Sequence, residues 1–384
     1  MPSTWEPPEV FKVPPGRGRA TVSELFTAAR VTVVDPIHEI VDELCQLRIF
    51  TGRAGGESKD QMAARYLAEG DAFGSWVYFP WEHTMVRYPD PDDYYELRTF
   101  RNRHLVTADE HAILRNQTLA FFGLSVGRRI LSQLAQSGIG NRYLFGDPDT
   151  ISVTNLNRLQ SSMSEVGLSK TESTARELGK VDPYLEQVHL ADGYSDDAQS
   201  AMESARPLVI LEEVDNPGIK ATIRAWAWEN RVPVVMATDV GDVSVIHVER
   251  YDTEDIRPFN DRVSDAVFES LLEGTLSGPQ AIAALLDIAG RREALSSTRL
   301  IRSFLDVGRG LAGLAQLGTT VGLGASLATT AVREIALGRP LPSGSYAADP
   351  YQILALSQPD SASEREATLQ AFATALGMST DDGG

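Results

Sequence analysis

Residues 121–160 read FFGLSVGRRILSQLAQSGIGNRYLFGDPDTISVTNLNRLQ, and this stretch decides the fold. An apolar run, "TLAFFG", enters a glycine-bearing turn. A helix is predicted from Gly127 to Ser137, with Ile130, Leu131 and Leu134 on one side. A second strand, "NRYLFGD", then ends in Asp147. Strand, turn, helix, strand is how a nucleotide-binding unit opens, because free N–H groups at the helix start face a phosphate. The fingerprint G-x-G-x-x-G is altered here. Gly123, Ser125 and Gly127 stand in its place, with the last glycine one position early. By itself such a turn is equally a plain β–α connection.

Working outward, the alternation continues. "KTESTARELG" reads as a helix, "YLEQVHL" and "RPLVILEEVD" as strands, "PGIKATIRAWAWENR" as a helix and "VPVVMATD" as a strand. Apolar strands separated by helices predict an α/β, Rossmann-like, mainly parallel sheet with helices on both faces. Ligands on such sheets lie at the carboxyl ends of the strands, which here carry Gly123, Asp147, Asp215 and Asp239. The chain divides into a flexible tail (1–20), an N-terminal α/β accessory domain (21–95), the Rossmann-like domain (96–252), a helical C-terminal region (253–360) and a second flexible tail (361–384). The break after "SWVYFPWEHTMVRY", at "PDPDDYY", marks the first boundary. "LGRPLPSGSYAADPYQ" reads as a loop.

The 384 residues carry a net charge of −18, spread along the chain, so a polyanion such as tRNA is disfavoured as a partner. Cys45 is the only cysteine, which excludes an internal disulfide and a C-x-x-C zinc pair. The first residues show no apolar signal core, and a cytoplasmic setting is expected. Gly310 to Val332 is uncharged over 23 residues, but its Gly, Ala, Thr and Ser content points to close helix packing rather than a membrane span.

Asp147 lies where dinucleotide folds place an acid on the ribose, and Asp149 follows in a turn-forming D-P-D. Asn155, Arg158 and Lys170 form a polar, cationic trio just beyond. An arginine fork and a lysine point charge suit triphosphate binding and pyrophosphate departure. His104, His111, His189 and His247 are scattered, without ligand spacing.

D-x-D-x-[IV]-x-x-[ST]-N-L-N-R (147–158), then G-x-x-K (167–170), then a strand ending in D-N (215–216), resembles the ThiF/MoeB/E1 superfamily of ATP-dependent adenylating enzymes. The match covers roughly Arg101 to Asp252. The wider chain resembles an actinobacterial ThiF-like group without a catalytic cysteine.

The resemblance implies ATP-dependent adenylation of a carboxylate on a peptide, carrier protein or small molecule, with release of pyrophosphate, in bacterial specialised metabolism. It implies that Gly123, Ser125, Gly127, Asp147, Asp149 and Asn155 bind nucleotide, with Arg158 and Lys170 on the phosphates. Asp215 matches a magnesium-associated aspartate, and Glu212 takes an earlier acidic place. Arg103 matches an arginine that reaches the partner subunit's ATP in family homodimers. ATP and Mg2+ are therefore the expected ligands, without zinc.

The departures are Ser125 at the middle glycine, Arg158-Leu159-Gln160 for R-Q, and Lys220 where arginine is frequent. No cysteine lies downstream of residue 45, so an adenylate would pass to an amine, an amide nitrogen or an external thiol rather than to an enzyme thioester. The alternatives are a degenerate nucleotide- or partner-binding module without catalysis, and an NAD(P)-dependent oxidoreductase, which leaves the asparagine–arginine–lysine set unexplained.

Overall fold

The computed structural model describes residues 5–14, 31–357 and 359–376. Its chain folds as two compact units. The first gathers residues up to 115 together with 135–139 and 175–186, and the second holds the remainder.

In the first unit, β1 (Glu9–Phe11), β2 (Thr32–Val34), β3 (Ser75–Phe79) and β4 (Thr84–Tyr88) form a sheet of order β1-β3-β4-β2. Helices α1 (Ile37–Phe50), α2 (Lys59–Ala68), α3 (Pro91–Thr99) and α4 (Ala108–Arg115) accompany it. Leu44, Cys45, Leu47, Met62 and Phe73 build one apolar core. Arg87 is buried, satisfied by Asp35 at 2.7 Å and Asp71 at 3.1 Å, and lies over the Trp76 ring.

Two sequence expectations are corrected here. Residues 9–11, read as part of a flexible tail, pair antiparallel with β3. The Pro/Asp run read as a domain boundary instead starts α3. Pro91 occupies a first-turn position, where its fixed φ suits a helix and its missing N–H costs nothing, and Asp92 and Asp93 complement the helix dipole. The first unit therefore continues to Arg115.

From Thr118 onward the chain alternates as expected: β5 (Thr118–Phe122), α5 (Gly127–Gln136), β6 (Arg142–Gly146), α6 (Lys170–Val181), β7 (Glu186–His189), α7 (Asp196–Ala205), β8 (Val209–Glu212), α8 (Pro217–Glu229), β9 (Val234–Val240) and β10 (Val243–Glu249). Helices α9 (Asp265–Leu272), α10 (Gly278–Ala289), α11 (Arg291–Ser296), α12 (Thr298–Asp306) and α13 (Gly318–Ala336) follow. They precede β11 (Gly344–Ala348), α14 (Pro350–Ile353) and α15 (Ala362–Leu376).

The seven-stranded sheet runs β11-β10-β9-β8-β5-β6-β7. β5 is parallel to β6 and β8, and β8 to β9, whereas β10 is antiparallel to β9 and β11. The fold is thus a Rossmann-like α/β sheet with flanking helices. Every residue of β8 is buried, as a sheet covered on both faces requires.

The C-terminal part differs from its sequence reading. The segment taken for a loop contributes β11, paired with β10 from Ser244↔Ala348 to Val248↔Gly344. GSYAA carries no apolar alternation, so its strand state comes from the β10 edge rather than from its own pattern. Residues 362–376, read as a flexible tail, form α15, whose Phe372 and Leu376 pack with Ile301. The uncharged stretch becomes the loop before α13 and most of that helix. A Cβ on Gly324 would lie 2.6 Å from Ser244 Oγ, so glycine is what lets α13 lie close upon β9 and β10. Among the described residues, no helix is long and apolar enough to cross a membrane.

Candidate functional site

The site is built where β5, β6, β8 and β9 end. Gly123 has φ +89°, and a Cβ there would stand 2.3 Å from the Glu213 carbonyl oxygen. Only glycine allows this crossing of the β5 end over β8. Ser125 is not among the positive-φ residues, so its β-carbon imposes no backbone strain. The shortened turn therefore accepts serine where the fingerprint has glycine. Ser125 Oγ is buried and has no hydrogen-bond partner among the described residues.

Asp147 ends β6 and is buried. Its carboxylate accepts the Leu124 N–H at 2.7 Å and the Asp149 N–H at 2.9 Å. Lys170 Nζ donates to both of its oxygens at 3.3 Å and to exposed Asp149 at 2.8 Å. The glycine turn, Asp147 and the first residue of α6 are thereby locked together. For Lys170 to reach a phosphate, it must release these carboxylates. Asn155 Oδ1 accepts the Ser152 N–H at 3.0 Å and closes the short 3-10 turn that carries the N-L-N-R segment.

Arg158 is half-buried. One guanidinium nitrogen donates to the Thr154 carbonyl at 3.2 Å and to Asn157 Oδ1 at 3.0 Å, while Nε is buried and unpartnered. Burial lowers its pKa, against the charges of Asp215 and Asp239. Asp215 is exposed in the loop before α8. Asp239, near the end of β9, has both carboxylate oxygens buried without a hydrogen bond. Burial pushes its carboxyl up to about 7, opposed by Arg158.

Between them, Glu213 lies under the glycine turn, its Cγ 3.4 Å from where a Cβ of Gly127 would be. It accepts the Ala237 N–H at 2.6 Å, and burial drives its pKa well above the carboxylate range. A cavity of about 470 Å3 opens beside Arg158. Its lining includes Arg129, Asn157, Gln160, Gly318 and Thr319, and no carboxylate. Asn157 Nδ2 donates to the Gln316 carbonyl at 2.8 Å, tying the N-L-N-R segment to the approach of α13.

The structure thus brings Gly123, Ser125, Gly127, Asp147, Asp149 and Lys170 together, and sets Arg158 within electrostatic reach of Asp215 and Asp239. Arg103 belongs to the first unit, exposed after the turn at Phe100–Asn102. Glu212, a candidate acid in the sequence, is instead an interior ion-pair partner. It is fully buried between Lys220 at 2.9 Å and Arg224 at 2.6 Å. Burial opposes its charge, yet those two cations hold its carboxyl below the ordinary range. Glu213 and Arg129 escaped the sequence reading. The signals available were the doubled acid in "LEEVD" and the doubled arginine opening α5, where cations oppose the helix dipole.

The residues present fit ATP. A glycine turn, an unpartnered serine hydroxyl and an arginine supply donors for phosphate oxygens, and the acid after the second strand supplies an acceptor for ribose hydroxyls. No group of three His, Cys, Asp or Glu side chains able to hold a metal occurs among the described residues.

The ThiF family pattern matches residues 101–364. An uncharacterised protein of Mycobacterium tuberculosis (strain CDC 1551 / Oshkosh) is 34% identical over 275 residues, covering 71% of this chain and 38% of that protein. The tRNA threonylcarbamoyladenosine dehydratase of Haemophilus influenzae is 31% identical over 151 residues, 39% of this chain and 58% of that enzyme. The chain therefore spans less than two thirds of the length of these curated relatives. Among solved structures, Escherichia coli MccB with ATP superposes with a TM-score of 0.46 at 16% identity, covering 82% of this chain and 87% of MccB.

Proposed function

This chain belongs to the ThiF family, and from that premise we propose that it adenylates a carboxylate at the expense of ATP and releases pyrophosphate. The observation that carries the reading is Arg158, which lines a cavity with no carboxylate among its described lining residues and keeps its own Nε buried and unpartnered. A substrate carboxylate oxygen bonds to the α-phosphorus as the bond from that phosphorus to the β-phosphate oxygen breaks. The pyrophosphate leaves with the charge.

The residues of this chain contribute by position and charge. Asp147 holds the ribose hydroxyls once Lys170 turns from it toward the phosphates. Ser125 and the N–H groups of the glycine turn meet phosphate oxygens, and Asn155 shapes the segment that presents Arg158. Asp215 would hold Mg2+, which would supply charge neutralisation when bound. Arg103 acts on a second copy's ATP, which makes the working form a homodimer.

The acceptor of the adenylate is an amine, an amide nitrogen or an external thiol. The second unit contains no cysteine, and Cys45 is fully buried with its thiol pKa raised by that burial. The substrate is a carboxylate-bearing peptide, carrier protein or small molecule of bacterial specialised metabolism. A nucleotide-binding module without catalysis is the second reading, favoured by the hold of Lys170 on Asp147 and Asp149.

Calorimetric titration with Mg-ATP and with NAD tests the premise, and exchange of labelled pyrophosphate into ATP tests the chemistry across a panel of peptide and small carboxylic acids. ATP binding with acid-dependent exchange is expected. ATP binding without exchange selects the second reading, and binding of NAD in place of ATP overturns both.

A further inference from the structure

We infer that Arg129 forms, with Arg158, a two-arginine cradle for the β- and γ-phosphates of ATP and for the pyrophosphate they become. This rests on the ATP reading above and adds a phosphate-binding arginine from within the same unit. Arg129 is the third residue of α5, and a cation in the first turn of a helix faces the positive end of the dipole. Arg128 beside it is compensated, donating to Ser173 Oγ at 2.7 Å with Glu165 at 3.9 Å. Arg129 has no carboxylate within ion-pairing distance among the described residues. Arg129 is half-buried, its guanidinium 3.6 Å from where a Cβ of Gly322 would be.

Both arginines line the same cavity of about 470 Å3. Among the described residues no Asp or Glu lines that cavity, although the chain's net charge is −18. Two like charges sharing one concavity repel unless an anion lies between them, and guanidinium forks match phosphate oxygens in pairs. A substrate carboxylate is the other anion such a cradle accepts, so the test separates the two.

Calorimetry with inorganic pyrophosphate, Mg-ATP and AMP, on the full chain and on Arg129→Ala and Arg129→Lys, decides it. Arg129→Ala weakens pyrophosphate and ATP by roughly 10- to 100-fold and leaves AMP within about twofold, with partial recovery in Arg129→Lys. AMP binding reports that each variant is folded. Unchanged pyrophosphate and ATP affinity in Arg129→Ala, or equal loss for all three ligands, overturns the proposal, the first outcome leaving the cavity to a carboxylate. Arg129-dependent pyrophosphate binding in a protein that binds neither ATP nor AMP would keep the cradle and sink the adenylation reading. Binding of ATP and AMP that ignores Arg129 would do the reverse.

Discussion

Arg224 and Arg158 serve the same sheet under opposite conditions. Arg224 is fully buried between Glu212 at 2.6 Å and Glu249 at 2.8 Å, with Lys220 completing the group. Glu249 in turn accepts the Tyr251 hydroxyl and the Phe259 N–H. Every charge there has a partner. At the carboxyl edge, Arg158 keeps a bare Nε, Asp239 has two bare oxygens and Ser125 a bare hydroxyl. Buried polar groups are ordinarily paired, because each lost hydrogen bond costs free energy. The interior network therefore belongs to the fold, and the unfinished edge is where we propose that a nucleotide completes the set.

The sharpest way to break that contrast is to remove each arginine in turn. Arg224→Ala leaves two buried carboxylates facing each other and destabilises the protein by about 3–5 kcal/mol, read from urea unfolding. Arg158→Ala changes unfolding free energy by less than about 1 kcal/mol, while pyrophosphate exchange falls roughly 100- to 1,000-fold. Equal losses of stability in the two variants would erase the distinction.

Asp239 gives a pH test of intermediate size. Its folded carboxyl keeps its proton to about pH 7, whereas the unfolded chain releases it near 3.8. Its folded environment is therefore fully tolerated below about pH 4, and stability declines as pH rises through 7. Asp239→Asn removes that dependence: its thermal midpoint exceeds the wild type's at pH 8, by less at pH 5, and matches it only below about pH 4. Parallel curves at both pH values would show that Asp239 is not held protonated.

Ser125→Gly makes the smallest change, less than about 0.5 kcal/mol in stability because the serine backbone is unstrained, with ATP affinity down roughly 3- to 10-fold for the lost hydroxyl. A large gain in ATP affinity, measured by calorimetry, would mean that the native turn obstructs the nucleotide.

Much of the second unit was legible because parallel strands and their covering helices write their burial into local pattern. β5, β6, β8 and β9 each show a continuous apolar run, and N-L-N-R announces itself by residue type. β11 was not legible, since GSYAA pairs only because β10 presents an open edge. The helix that Pro91 opens was hidden for a related reason: proline marks both a break and a first helical turn. Glu212 and Glu213 are adjacent and chemically identical, and the strand period sends them to opposite surroundings, one between two cations and one beneath the glycine turn.

The sequence by itself determined the α/β alternation, the glycine turn, the aspartate closing the second strand and the cationic trio, since these depend on residue type and short spacing. Only the tertiary structure decided which charges are spent. Lys170 is engaged by Asp147 and Asp149, Glu212 is consumed by Arg224, and Arg129 and Arg158 share an acid-free cavity. Those outcomes arise from contacts between residues tens of positions apart, where burial removes water and makes the presence or absence of a partner decisive.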